Sequence, residues 1–263
     1  MKMSPDELAA LEEARMVRTF SELGDEQLLI GGGVACWGGT AESWMNLVTG
    51  LGMRGPLEAD AIARIDAFYA GRTEPAIEVC PFADDSVLTA CAAGGFHLAK
   101  FETVLYRDLE TIPTAPVPEG YAFEAVAPDD GAAVDAFIET HVASFSPDGG
   151  PHADAMASGA RRMLAHPRTK AWVVRCAGEV VGAAALEHHR RLATLMAGCV
   201  LEPHRERGLQ QALIALRCEA ARGLGCEVVT IGSRPWSVTG RNALRLGFVT
   251  AYTRAILQCP PGR

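Results

Sequence analysis

The residues best suited to chemistry lie in one basic turn, His204-Arg205-Glu206-Arg207-Gly208. The apolar run 194–201 before it is typical of a buried strand. After it, apolar residues at helical spacing predict a helix: Leu209, Ala212, Leu213, Leu216 and Ala220. The first N–H groups of a helix lack partners, and its dipole attracts anions to the same end. The turn therefore predicts a pyrophosphate site, with Gly208 permitting close approach and the arginines adding charge.

Other interpretations of this turn stay open. Strand–turn–helix junctions are common, and an arginine in a turn is usually solvated. The turn is not a P-loop, because no Gly-Lys-Ser/Thr sequence follows it. It is not Gly-x-Gly-x-x-Gly either, so a dinucleotide-binding fold is not supported.

The turn resembles the acyl-CoA-binding signature of the GNAT superfamily of N-acetyltransferases. That signature is Arg/Gln-x-x-Gly-x-Gly/Ala at a strand-to-helix junction, and here it is Arg205-x-x-Gly208-x-Gln210. Gln210 replaces the usual small residue, which crowds the approach to the phosphates, although its amide could donate to one. The match continues through the strand 227–231, Arg241-Asn242 and Gly247-Phe248, and it covers the C-terminal half of the chain.

The resemblance implies transfer of an acetyl group from acetyl-CoA, as a co-substrate, to a primary amine that attacks the thioester directly. The protein would supply orientation and donors for the developing oxyanion. The resemblance also assigns the cofactor contacts. Main-chain groups near Cys199 and Val200 would hold the thioester and pantetheine, and the pyrophosphate would be held by Arg205, Arg207, Gly208, Leu209 and Gln210. Asn242 would contact the pantetheine arm, unless it is a surface or capping residue of its helix.

Candidates for proton transfer follow from the same resemblance. A general base is needed because an amine is mostly protonated at neutral pH. Glu187, His188 and His189 end the strand before the central one, where a residue could face the cleft or could be an ordinary surface residue.

Many relatives use a tyrosine, four residues before the Gly-Phe pair, to protonate the departing thiolate. That position is Ala243 here, so Tyr252 on the next strand is the substitute candidate, with a buried structural tyrosine as the alternative. Cys199 lies in an apolar strand, which favours packing over a covalent acyl-enzyme.

The second half of the chain predicts the element order β-α-α-β-β-β-α-β-α-β, which the GNAT resemblance also implies. It begins with a strand at 121–126, after a linker at 111–120 that contains three closely spaced prolines. The fold class we expect is α/β with a mixed (α+β) sheet. It would comprise two GNAT-like domains, 1–110 and 121–263, of which the C-terminal one is complete.

The first half predicts a similar order of elements. Ser4-Pro5-Asp6-Glu7 is typical of a capping box that opens a helix, and Gly24 would end it. Strands are predicted at 26–37, 43–48, 77–80 and 97–109, and helices at 57–70 and 84–93. We expect a degenerate copy that does not bind the cofactor, since Gly52 and Pro56 stand where Arg205 and Leu209 stand later. Two unrelated α/β halves are the alternative.

Composition limits the classes of function. The chain has 263 residues, 49% of them hydrophobic, and its formal net charge of −8 disfavours binding to nucleic acid or to an anionic membrane. The eight cysteines have no Cys-x-x-Cys pair, so we expect reduced thiols in a cytoplasmic protein and no metal site. No segment is long and apolar enough to predict a membrane span, and the first residues predict a charged helix instead of a signal peptide.

Three functions stay open from the sequence. The first is an N-acetyltransferase acting on a small-molecule or peptide amine, which the sequence does not identify. The second is a non-catalytic acyl-CoA-binding or sensing module, suggested by the missing tyrosine. The third is a structural or interaction protein, against which the Arg205-x-x-Gly208 turn argues. Oligomeric state is not determined by the sequence.

Overall fold

The computed structural model describes residues 3–259, so residues 1–2 and 260–263, which the predicted domains include, lie outside it. Helices and strands are interspersed along the chain in a mixed α/β fold. The elements of the first half are α1 (Pro5–Leu23), β1 (Glu26–Ile30), β2 (Gly33–Trp37), β3 (Leu47–Thr49), α2 (Ala61–Tyr69), β4 (Ala76–Val79), α3 (Ser86–Ala93) and β5 (His97–Asp108). The elements of the second half are β6 (Tyr121–Val126), α4 (Gly131–Phe145), α5 (Pro151–Ala165), β7 (Thr169–Cys176), β8 (Glu179–His189), β9 (Leu192–Val200), α6 (Leu209–Gly223), β10 (Val228–Ser233), α7 (Val238–Arg245) and β11 (Val249–Gln258).

The chain forms two compact units whose boundaries differ from the predicted domains. The first unit contains the chain up to Val104 together with the residues from Ala251 on, and the second contains Leu105–Thr250. The last strand of the sequence therefore belongs to the first unit and not to the predicted domain 121–263. The reason is strand pairing: Ala255 lies opposite Val79 of β4, and Leu257 is buried in the core of the first unit.

In the first unit, β1 and β2 form a hairpin, and β3 pairs antiparallel with β2 and parallel with β4. The turn of the hairpin is Gly31-Gly32. The strand predicted at 43–48 is confined to Leu47–Thr49. Helix α1 begins with the predicted capping box, in which the side chains of Ser4 and Glu7 each bond the other's backbone N–H. Gly24 caps its C-terminus.

In the second unit, β6, β7, β8 and β9 pair antiparallel in that order, and β10 pairs parallel with β9. Helices pack on both faces of β8. The small residues that alternate along this strand lie in two different hydrophobic cores. Ala183 and Ala185 pack with residues of α4, whereas Ala184 packs with Leu209 and Leu213 of α6. The end of β5 completes this unit, since Leu105 is buried with Val229 and Ile231 of β10.

The predicted element order of the second half is confirmed, from β6 to β11. The first half repeats part of it: β3-α2-β4-α3-β5 corresponds to β9-α6-β10-α7-β11, and both copies contain a parallel pair, β3 with β4 and β9 with β10. Within residues 3–259, no helix combines the length and the apolar character that crossing a membrane requires.

Candidate functional site

The site begins where two parallel strands of the second unit stop pairing. The register of β9 with β10 runs from Leu192 opposite Val228 to Thr194 opposite Thr230. At that last pair, the two threonine Oγ atoms are 2.7 Å apart and share a hydrogen bond. Both strands continue past it, β9 to Val200 and β10 to Ser233. Beyond Thr194 and Thr230, the register between the two strands is not continued.

A bulge distorts β9 just beyond this point. The register with β8 shifts between Ala183, which lies opposite Cys199, and Ala185, which lies opposite Met196. Ala197 has a φ of 52°, a left-handed conformation that is uncommon for a residue other than glycine. Bulges re-aim the groups of a strand and are frequent beside active sites. The exposure of β9 also increases here, from buried at Thr194 to intermediate at Met196, Ala197 and Gly198.

The predicted turn leads from β9 to the N-terminus of α6. Gly208 is the N-cap of the helix with a φ of 82°, and no side chain caps the first turn. A Cβ atom at Gly208 would meet nothing within 4 Å, so the space before the helix is open. Free N–H groups at such an end, with room before them, are suited to a phosphate.

The two arginines of the turn are exposed and bond backbone carbonyls. Arg205 donates from Nε to the carbonyl of Val200 at 3.0 Å, which ties the turn to the end of β9. Arg207 donates to the carbonyl of Pro203 at 3.5 Å. Both guanidinium groups therefore lie on the turn itself, where their charge adds to that of the helix end.

Residues 134–248 match the family model described as the Acetyltransferase (GNAT) family. This part of the chain is a GNAT-family domain. The match includes the bulged strand, the turn and α7, so the region of the predicted resemblance is confirmed. A search of curated proteins found no match.

Solved structures show the same fold over nearly the whole chain. A GCN5-related N-acetyltransferase from Kribbella flavida has 17% identity and a TM-score of 0.73, and the match covers 100% of this chain and 98% of that one. A putative GNAT acetyltransferase from Novosphingobium aromaticivorans has 16% identity and a TM-score of 0.58, with 96% of each chain covered. A tandem GNAT protein from the clavulanic acid biosynthesis pathway has 16% identity and a TM-score of 0.55, with 89% and 82% covered.

Two of the predicted cofactor residues in the GNAT domain bond each other. Gln210 donates from Nε2 to Thr239 Oγ1 at 2.9 Å and accepts from the amide of Asn242. Asn242 is buried, and its Oδ1 also accepts from Gln211 and from Arg245. These amides therefore link α6 to α7.

The other predicted cofactor residues, Leu209, Val200 and Cys199, have side chains that are buried or half-buried, so they offer mainly backbone groups. The side chain of Leu209 is buried in the core, which leaves its N–H at the first turn of α6. Val200 is half-buried, and its carbonyl accepts from Arg205. Cys199 is buried beside α4, with Sγ 3.9 Å from the carbonyl of Thr140, and burial raises the pKa of its thiol. A raised pKa disfavours the thiolate that a covalent acyl-enzyme would need.

The candidates for a general base lie near the end of β8. Glu187 is fully buried, and its Oε1 accepts from Arg168 Nη2 at 3.1 Å. His189 is buried as well. His188 is half-buried, and its pKa is lowered, mainly by burial and further by the charges of Lys170 and Arg168.

The structure places Tyr252 in the first unit, because β11 pairs with β4 there. Its hydroxyl donates to Glu13 Oε1 at 3.1 Å and accepts from Arg254 at 3.3 Å. Burial raises the pKa of this hydroxyl, which makes it a weaker acid. Ala243, at the position of the usual tyrosine, is fully buried in the core of the GNAT domain.

Arg217, which lies on α6 and is 1% exposed, is not among the site residues predicted from the sequence. Its guanidinium donates to backbone carbonyls on three elements: Leu213 at 3.0 Å, Ala185 at 3.1 Å and Met196 at 3.1 Å. A signal was present in the sequence, since Arg217 follows Leu213 by four positions and so lies on the apolar side of the predicted helix.

Proposed function

We propose that the protein is an N-acetyltransferase that transfers an acetyl group from acetyl-CoA to a primary amine by direct attack on the thioester. The family match supports the class of reaction. The single observation that carries the proposal is the uncapped N-terminus of α6, which faces open space at the end of the bulged strand β9. A diphosphate fits such a helix end. The pantetheine arm fits along the part of β9 beyond its pairing with β10.

In this proposal the pyrophosphate binds the N–H groups of Leu209 and Gln210, close to Gly208, with Arg205 and Arg207 adding positive charge. Pantetheine follows the backbone near Cys199 and Val200. Asn242 acts from α7, since its side chain already bonds Gln210. The acceptor is a small-molecule or peptide amine, bound so that its nitrogen reaches the thioester carbonyl.

The proton-transfer roles of Glu187 and Tyr252 stay predictions. Glu187 has the charge of a general base, but its ion pair with Arg168 competes for that role. Tyr252 has the hydroxyl of a general acid, but that hydroxyl is committed to Glu13. We also propose a cytoplasmic location, which the eight free cysteines support.

The experiment that tests the proposal is thermal unfolding with and without excess acetyl-CoA. A ligand at about 100 times its dissociation constant stabilises the native state by roughly 2.7 kcal/mol. We expect the wild type to unfold several degrees higher with acetyl-CoA. Gly208→Glu should lose this shift, because a carboxylate would then occupy the anion site and repel the phosphates.

Gly225→Glu is the matched control. Gly225 lies just beyond the other end of α6, has the same φ of 82°, and likewise has nothing within 4 Å of an added Cβ. Both variants place a side chain at the same φ and add the same charge, but only one changes the proposed site. A wild type that does not respond to acetyl-CoA, or a Gly225→Glu variant that also stops responding, contradicts the proposal.

A second candidate, a non-catalytic acyl-CoA-binding module, is favoured by Ala243 and by the placement of Tyr252 outside the GNAT domain. Both functions predict the shift with acetyl-CoA. Only the enzyme predicts release of free CoA that depends on an added amine, so a screen of amines with thiol detection separates them.

A further inference from the structure

Arg217 is a buried cation without a buried anion to balance it. In the described part of the chain, the hydrogen bonds of its guanidinium all go to backbone carbonyls, and no carboxylate pairs with it. The thiols of Cys218 and Cys199 are titratable groups close enough to influence its pKa. Burial lowers the pKa of Arg217 to about 10, so it stays protonated at neutral pH. An unpaired buried charge is costly.

The guanidinium lies at the bulge of β9. Ala185 and Met196, whose carbonyls it bonds through Nη1, are the residues at which the register of β8 with β9 shifts. Gly198 leaves space for the second terminal nitrogen of Arg217, Nη2, since a Cβ at position 198 would lie 3.2 Å from it. Arg217 thus bonds backbone carbonyls at the bulge and holds a positive charge beside that backbone.

The carbonyls alone do not explain the charge, because neutral donors could also bond them. A cation in a low-dielectric interior favours negative charge nearby, and the effect is much larger than in water. In the proposed reaction, negative charge develops beside β9. The amine nitrogen bonds to the carbonyl carbon, the carbon–sulfur bond breaks with its electron pair going to sulfur, and the nitrogen loses a proton to base.

We propose that Arg217 is a positioning residue that shapes the bulge of β9 and electrostatically stabilises the CoA thiolate as it leaves. The thiolate then takes its proton from water after departure. This role fits a domain with Ala243 where relatives place a tyrosine, because a stabilised thiolate needs no immediate proton donor. The inference rests on the proposed function.

The test needs no knowledge of the acceptor, because CoA itself carries the thiol. The dissociation constants of CoA and of desulfo-CoA, which lacks the thiol, are measured calorimetrically between about pH 6.5 and pH 9.5. If the protein lowers the pKa of the bound thiol, binding releases a proton, and CoA gains affinity over desulfo-CoA as the pH rises. A thiol pKa lowered by about one pH unit gives roughly a tenfold gain.

We expect this gain in the wild type and in Arg217→Lys, which keeps the charge, but not in Arg217→Met. Arg222→Met is the control, since Arg222 lies on the same helix and is exposed. Should Arg217→Met not fold, Gly198→Ala displaces the guanidinium instead and should reduce the gain. Equal pH dependence of CoA and desulfo-CoA in the wild type overturns the inference, as does an undiminished gain in Arg217→Met. If neither ligand binds the wild type, the proposed function itself is wrong.

Discussion

Among single residues, Glu78 on β4 lies in an environment that changes its protonation near neutral pH. It is 9% exposed, and Arg254 is its nearest cation, with Nη1 3.7 Å from Oε2. Burial raises the pKa of Glu78 to about 7, with smaller upward contributions from the charges of Glu102 and Glu13. Arg254 and Lys100 oppose the shift. Near neutral pH this carboxyl is therefore partly protonated in the folded protein.

The pH dependence of stability follows from that shift. A carboxyl with a raised folded pKa favours folding fully below its unfolded pKa, and the contribution is lost as the pH rises through the folded pKa. We therefore expect the unfolding temperature of the wild type, relative to Glu78→Gln, to fall between about pH 4.5 and about pH 7. Paired thermal unfolding curves across this range check it. A difference between the two proteins that is independent of pH would contradict the raised pKa.

At the scale of elements, amide side chains connect α6 to α7. Gln210 bonds Thr239 and Asn242, and Gln211 bonds Asn242 as well. The usual small residue at position 210 could not make these bonds. Gln210, which departs from the GNAT signature, therefore links α6 to α7.

Gln210→Ala restores the size usual in the family and should destabilise this link. Two part-buried hydrogen bonds at about 1 kcal/mol each predict a loss of roughly 2 kcal/mol in unfolding free energy. We expect acetyl-CoA to raise the unfolding temperature of the variant as much as that of the wild type. Gln211→Ala, which removes one bond, should cost about half as much. A stable Gln210→Ala protein that no longer responds to acetyl-CoA would show that this amide acts on the ligand.

For the whole molecule, each compact unit contains part of a strand from the other half of the sequence. The residues of β11 from Ala251 on complete the first unit, and the end of β5 completes the second. The proline-rich segment 111–120 is the predicted linker between the two domains. It lies within the second unit, which begins at Leu105.

This exchange predicts how fragments of the chain behave. A fragment from residue 121 onward lacks the buried Leu105 and Leu109, and a fragment that ends at residue 110 lacks Leu257. We expect each fragment alone to be unfolded or aggregated, and the two co-expressed fragments to form a folded complex. Circular dichroism and co-purification measure this. A fragment 121–263 that folds and binds acetyl-CoA alone would contradict the expectation.

The features of the fold and the site that could be predicted depend on residues close together in the sequence. The capping box of Ser4 and Glu7 and the helix after Gly208 depend on neighbours in sequence, so their patterns are sufficient. The repeated order of strands and helices followed from the same kind of signal. The environments of Tyr252 and Glu187 could not be predicted, because their partners Glu13 and Arg168 are brought to them by strand pairing and packing.

The sequence by itself determined the order of the elements, the GNAT resemblance of the second half and the glycine turn before α6. Tertiary structure alone decided that β11 joins the first unit, that Gln210 and Asn242 bond each other, and that Arg217 lies behind the bulge of β9. The physical reason is the distance along the chain between the residues that interact. Helix caps and periodicity act over a few residues, whereas strand partners and buried charges are chosen by contacts between residues far apart in the chain.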